Sequence, residues 1–81
     1  MHFQISEKAQ VQYEALSVEL QRTFQKQAHF LVNDIRHPSL HAKKYNEETG
    51  IWQARINRSW RFYFVISKSL YYIVSIKKHP K

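Results

Sequence analysis

The sequence predicts an α+β domain, a helical hairpin packed on one face of an antiparallel sheet, with the element order β-α-α-β-β-β. Three observations predict it. Apolar residues recur at helical spacing from Ala9 to Ile35 and stop before Pro38. From Ile51 onward, three runs rich in aromatic and β-branched residues are separated by short polar turns. Along those runs the apolar residues occupy even positions, and the parity survives both turns. The 81 residues form a single domain, 1–81. A chain of this size buries roughly 60–65% of its unfolded surface, enough for a thin two-layer core but not for a deep cofactor cavity.

Phe3 and Ile5 alternate and suit a short opening strand. Ser6 is a candidate helix N-cap, with Glu7 favourably placed in the first turn. Ala9, Tyr13 and Leu16 follow at helical spacing. Ser17 is a second candidate N-cap, so the expected object is a short helix and a longer one rather than a single rod. Leu20, Phe24, Ala28, Leu31 and Ile35 make one apolar stripe on the second helix. Pro38 disfavours helix at His37 and should end it there. Residues 37–50 read as a long loop between helix and sheet.

Ile51–Ile56, Trp60–Ile66 and Leu70–Ile76 read as strands. The gaps at 57–59 and 67–69 are three-residue polar turns, which imply an antiparallel meander. The even positions, from Trp52 to Ile76, are all apolar or aromatic and form a wall for the helices. The odd positions carry Gln53, Arg55, Arg61, Tyr63, Tyr71, Lys77 and His79. Three-residue turns would set Arg55 across from Arg61, and Ser75 across from Arg61 on its other side. Like charges directly opposite repel, so a bound anion is a reason for that pair to exist.

Thirteen Lys and Arg stand against six Asp and Glu, a net charge of +7. Residues 1–40 are balanced, and the whole excess lies in 41–81. Such asymmetry points to a polyanionic partner, nucleic acid or an acidic protein. Cysteine is absent, which excludes disulfides, thiolate metal sites and cysteine nucleophiles. No apolar run is long enough to span a bilayer, and the N-terminal residues lack a secretory core, so a cytoplasmic protein without membrane contact is expected. One glycine rules out a phosphate-cradling Gly-rich loop. His37 and His41 lie four apart, but Pro38 between them argues against a helical metal pair, and no metal or small-molecule cofactor is expected.

The basic, aromatic face suits RNA. Arginine grips phosphate with paired N–H bonds, and Tyr63 and Tyr71 could stack on unpaired bases. Lys43, Lys44, Gln53, Lys77 and Lys78 extend that surface. His79, at the end of the last strand, offers an imidazole that exchanges a proton near neutral pH. Arginines with a histidine are the equipment for cleaving RNA through its own 2′-hydroxyl. A base removes that proton, cations stabilise the charged phosphorane, and an acid protonates the leaving 5′-oxygen.

The order of motifs carries a resemblance. A helical hairpin ends in His37-Pro38-Ser39-Leu40. Lys43-Lys44-Tyr45, Ile51-Trp52-Gln53-Ala54-Arg55-Ile56, Trp60-Arg61-Phe62-Tyr63-Phe64 and a final strand closing on Lys77-Lys78-His79-Pro80 follow. Across nearly the whole chain this resembles the RelE/ParE superfamily of type II toxin–antitoxin toxins. The resemblance implies a RelE-like fold and an mRNA interferase, a metal-independent endoribonuclease that cleaves messenger RNA in the ribosomal A site. A cognate antitoxin protein is then a partner, as are the ribosome and mRNA. Carried over, Arg61 matches the arginine that stabilises the scissile phosphate, Arg55 a basic residue contacting RNA, Lys44 a loop lysine, and His79 the catalytic position near the C-terminus. The chain departs from many active members in having Pro80 where they place a tyrosine, and Gln53 where some place lysine. The superfamily also holds toxins that poison DNA gyrase without nuclease chemistry, and an inactive basic interaction module is a further alternative, so fold does not settle function.

Overall fold

A computed structural model describes residues 2–79. The chain runs β1 (His2–Ile5), α1 (Glu7–Glu14), α2 (Val18–Asn33), a single 3-10 turn (Pro38–Leu40), β2 (Lys43–Asn46), β3 (Ile51–Arg55), β4 (Trp60–Ser67) and β5 (Leu70–Lys78). The α+β architecture is as expected: two helices lie against one face of a five-stranded sheet ordered β1-β5-β4-β3-β2. β1 runs parallel to β5 and every other pairing is antiparallel, so the sheet is mixed.

Both serine caps form. Ser6 Oγ accepts from Ala9 N at 3.1 Å, and Ser17 Oγ from Leu20 N at 3.1 Å, so two helices replace one. α2 ends earlier than the proline suggests, at Asn33. Asp34 leaves the helical conformation, and its carboxylate accepts from the Arg36 amide at 2.9 Å, a local turn that competes with another helical bond. Pro38 then opens the 3-10 turn, which buries Leu40 completely.

The core joins the helices to the even-numbered side chains of β3 and β4. Phe24 of α2 meets Phe62 edge-on, with ring centroids 5.4 Å apart. Phe62, Phe64, Leu31, Leu40 and Ile73 are sealed from solvent.

Three expectations about the sheet need correction. Residues 37–50 are not simply a loop: Lys43–Asn46 pairs with β3 as an edge strand. Its exposed, lysine-rich sequence carries no hydrophobic alternation, which is how an edge strand resists further pairing. The parity of β5 also does not run through unbroken. Tyr63 pairs with Ser75 but Phe64 with Ile73, leaving Val74 as an extra residue. One added residue reverses every later side chain. Tyr71 and Ile73, expected on the open face, precede the bulge and enter the core because Ser67, not Ile66, pairs with Leu70; Tyr71 packs edge-on against Phe64 at 5.7 Å. The bulge then returns Ile76 to the core and Lys77 to the open face. The turn after β4 is tighter than read, since Ser67 pairs with Leu70 and Lys68 takes a left-handed φ of 55°.

Helix α1 and its cap satisfy the bulge. Ser6 donates from its amide to Ile73 O at 2.9 Å and from its hydroxyl to Val74 O at 3.1 Å. The Gln12 side-chain oxygen accepts from Ile76 N at 2.7 Å. The bulge thus loses few backbone hydrogen bonds, which is what allows it to persist in a small domain.

Candidate functional site

The face of the sheet turned away from the helices is built in rows. Arg55 on β3 stands opposite Arg61 on β4, as the parity predicts. Because the tight β4–β5 turn and the bulge each shift the register by one residue, the residue across from Arg61 on β5 is Lys77, not Ser75. Three cations therefore lie side by side across three strands. The next row is Lys43, Gln53, Tyr63 and Ser75. Among the described residues the one ion pair within 4.0 Å joins Lys44 to Glu47, so no carboxylate neutralises the row of three.

Arg61 is the best held of them and only 7% exposed. Its Nη1 donates to the carbonyls of Asn57 (2.7 Å), Trp60 (3.0 Å) and Arg58 (3.1 Å). The β3–β4 turn is folded for this purpose by Asn57, whose side-chain oxygen accepts from Ser59 N at 2.8 Å and Trp60 N at 2.9 Å. The same turn reaches the end of β5, where His79 N donates to Ser59 O at 2.6 Å. Arg55 is fixed from behind. Buried Gln27 of α2 donates to Arg55 O at 2.9 Å and to Ser39 O at 3.2 Å, tying helix, 3-10 turn and strand together.

Burial, and secondarily the charge of Arg55, lowers the pKa of Arg61 below the usual arginine value, while Tyr63 opposes the shift. The guanidinium remains charged through the neutral range. A base whose folded pKa is depressed costs stability below that pKa. Stability recovers only as pH rises through the lowered value towards the unfolded one, far into alkali. At neutral pH a bound anion would relieve that cost, whereas loss of the proton would not occur there.

A hollow of about 380 Å³ opens over these groups, lined by His41, Ala42, Lys43, Gln53, Arg55, Arg61 and His79. A second, of about 260 Å³, adjoins it through the shared residues Gln53 and His79, and adds Tyr45, Tyr63, Lys77 and Lys78. There Gln53 Nε2 donates to the Tyr63 hydroxyl at 3.1 Å, Tyr45 meets the Tyr63 ring edge-on at 5.1 Å, and the Lys77 ammonium lies 5.8 Å from the same ring. Among the described residues no cluster of three or more His, Asp or Glu side chains could hold a metal ion. Cations, donors and aromatic rings together can bind a phosphodiester with a base beside it.

Arg55, Arg61, His79, Lys43 and Gln53 thus meet in one hollow, and Tyr63, Lys77 and Lys78 border the next. Two expected residues do not join them. Tyr71 is in the core. Lys44 lies on the other side of β2, its ammonium 5.4 Å from the Trp52 ring on the helix-facing side. Lys78 sits at the end of the sheet opposite Trp60, and also reaches a groove at the start of α2. Pro80, where many members of the resembled family place tyrosine, is outside the described residues. The sequence reading missed His41 and Tyr45. Their signal was the alternation of Lys43 and Tyr45 along an edge strand, visible only once β2 is placed beside β3.

No protein-family model matches this chain, and no curated protein matches it. Solved structures do. A YoeB/ParE toxin from Agrobacterium tumefaciens superposes with a TM-score of 0.82 at 14% identity, covering 99% of this chain and all of that one. The YoeB–YefM complex from Staphylococcus aureus gives 0.79 at 15% identity, with 99% and 98% covered. The isolated E. coli RelE toxin gives 0.77 at 13% identity, with 99% and 85% covered. The chain has the fold of the RelE/ParE superfamily toxins.

Proposed function

We propose that this chain, folded as the RelE and YoeB toxins are, is the toxin of a type II toxin–antitoxin system. In this reading it is a cytoplasmic, ribosome-dependent endoribonuclease that cuts translated mRNA by metal-independent attack of the 2′-hydroxyl. The observation that carries the reading is the row Arg55–Arg61–Lys77, without a carboxylate partner among the described residues, beneath two adjoining hollows that share His79. Cations held in advance, where charge develops on the phosphorane, supply electrostatic stabilisation without reorganisation. His79 supplies proton transfer, and Tyr63 with Tyr45 a platform for an unpaired base. A cognate antitoxin is supported by the fold shared with toxins solved in complex with one, the S. aureus YoeB–YefM pair among them.

Induction in cells, followed by mapping of RNA 5′ ends, tests the reading. Cuts within translated regions are expected, prevented by co-expression of the neighbouring gene's product. Arg61→Ala and His79→Ala should each abolish the cuts and the growth arrest while the protein stays folded. Full toxicity of both variants would reject these assignments. Growth arrest with intact messages and a DNA-damage response would favour the gyrase-directed alternative, and no arrest at all would favour the inactive module.

A further inference from the structure

Cleavage by the 2′-hydroxyl needs two proton transfers on opposite sides of phosphorus, and a single histidine meets one of them. We infer that His41 is the second group: His41 and His79 form an acid–base pair across the cationic row. This rests on the nuclease reading above.

The placement follows from the sheet order. His79 follows β5, Arg61 is on β4, Arg55 on β3, and His41 lies two residues before β2. The two histidines therefore enter the hollow from its two ends, with both arginines between them, and both line it. Across the sheet their backbones are about three strand spacings apart, roughly 14 Å, and His79 lies two residues beyond the Lys77 row. Imidazoles reaching inward from each end narrow that gap towards the width of a phosphodiester.

Elimination points the same way. Lys43 and the two arginines lining the hollow are lasting cations, Gln53 does not titrate, and no carboxylate lines it. Facing the pair are Lys43 and Tyr45 from β2, Gln53 and Arg55 from β3, Arg61 and Tyr63 from β4, and Lys77 and Lys78 from β5. Of the side-chain types lining the hollow, imidazole is the one chemically suited to both accept and donate a proton in this step.

The backbone supplies an independent observation. His41 holds φ 46° and ψ 42°, the left-handed region that favours glycine. The conformation is set by its neighbours: Leu40 is fully buried, and His37 caps the 3-10 turn while stacking on Phe30 at 3.8 Å. Histidine is one of the few side chains tolerated in that region, so the ring at 41 is carried by a backbone that glycine can also adopt.

In the step itself, one neutral imidazole takes the 2′-hydroxyl proton and the 2′-oxygen pair forms a bond to phosphorus. The P–O5′ bond breaks, and the other imidazole, protonated, gives its proton to the departing 5′-oxygen. A 2′,3′-cyclic phosphate and a 5′-hydroxyl leave. The two imidazoles end in exchanged protonation states, which water resets.

The backbone conformation also selects the variant. Glycine at 41 keeps the turn and removes only the ring. Single-turnover cleavage on translating ribosomes should be measured against pH for the wild type, His41→Gly and His79→Ala. The wild-type rate should fall on both the acid and alkaline sides. Each variant should lose about 10²-fold or more in rate with little change in KM, and each should lose a different limb of the profile. Added imidazole should restore part of the His41→Gly rate, which no merely structural role would allow. An active wild type alongside a His41→Gly variant within twofold of it, or with its loss confined to KM, overturns the role of His41 alone. A wild type that cuts no RNA overturns the nuclease reading and the pair with it.

Discussion

The two faces of strands β3 to β5 share one backbone and obey opposite rules. On the helix side Phe62, Phe64 and Ile76 are packed and dry. On the other side, one residue along from each strand partner, Arg55, Arg61 and Lys77 are aligned so that like charges meet. The first face is what a small domain needs in order to fold. The second works against folding, because like charges directly opposite in a sheet destabilise it. The comparison teaches that the open face is not a by-product of solubility. It is an arrangement kept at a cost to stability, as sites built for a charged ligand are.

Breaking the covered face should have the largest effect. Phe62 is sealed between Phe24 and Phe64, so Phe62→Ala should remove about 3–5 kcal/mol of unfolding free energy, read by urea denaturation. A domain of this size has little more than that to lose, and the variant should be largely unfolded at 37 °C. A loss below about 1 kcal/mol would mean that the site collapses around the missing ring and the core is softer than its burial indicates.

Changing the open face should act in the other direction. Arg55→Gln removes one of two facing cations while keeping a long polar side chain, and should raise stability by roughly 0.2–1 kcal/mol. The same variant should weaken RNA binding. Thermal unfolding with and without RNA checks both halves. If Arg55→Gln destabilises the protein, the charge row contributes to the fold and the contrast between faces is weaker than drawn.

How much of this contrast could be read in the residues depended on where the determining contacts come from. Local signals served well. The serine caps at 6 and 17, the apolar stripe of α2, the even parity of β3 and β4 and the Arg55–Arg61 pairing all depend on neighbours a few residues away or on one tight turn. The failures had distant causes. The bulge at Val74 is held by Ser6 and Gln12, 68 and 64 residues from the atoms they bond. Nothing within 70–78 announces it. The tight turn that pairs Ser67 with Leu70 sends Tyr71 into the core, and turn and bulge together bring Lys77 to the side of Arg61. β2 escaped notice because an exposed edge strand needs no apolar alternation of its own. His41 depends on a left-handed backbone imposed by buried Leu40, which a sequence pattern does not express.

The smallest effect is the sharpest test of face against face, because it uses adjacent residues of the same type. Lys43 and Lys44 are both exposed and both on β2. Alternation along the strand sends them to opposite sides of the sheet. Lys43 stands beside Gln53 and lines the cationic hollow, whereas Lys44 lies over Trp52 and near Glu47. Neither should matter much to stability, about 0.5 kcal/mol or less for an exposed substitution. Their effects on RNA should differ. Lys43→Ala should weaken binding and reduce the slope of log affinity against log salt by about one, the loss of one phosphate contact. Lys44→Ala should leave the slope unchanged. Net charge changes equally in the two variants, so a difference cannot come from the overall field of the protein. Equal loss from both would mean that RNA senses the positive charge of the second half of the chain as a whole, and not the face on which each lysine is placed.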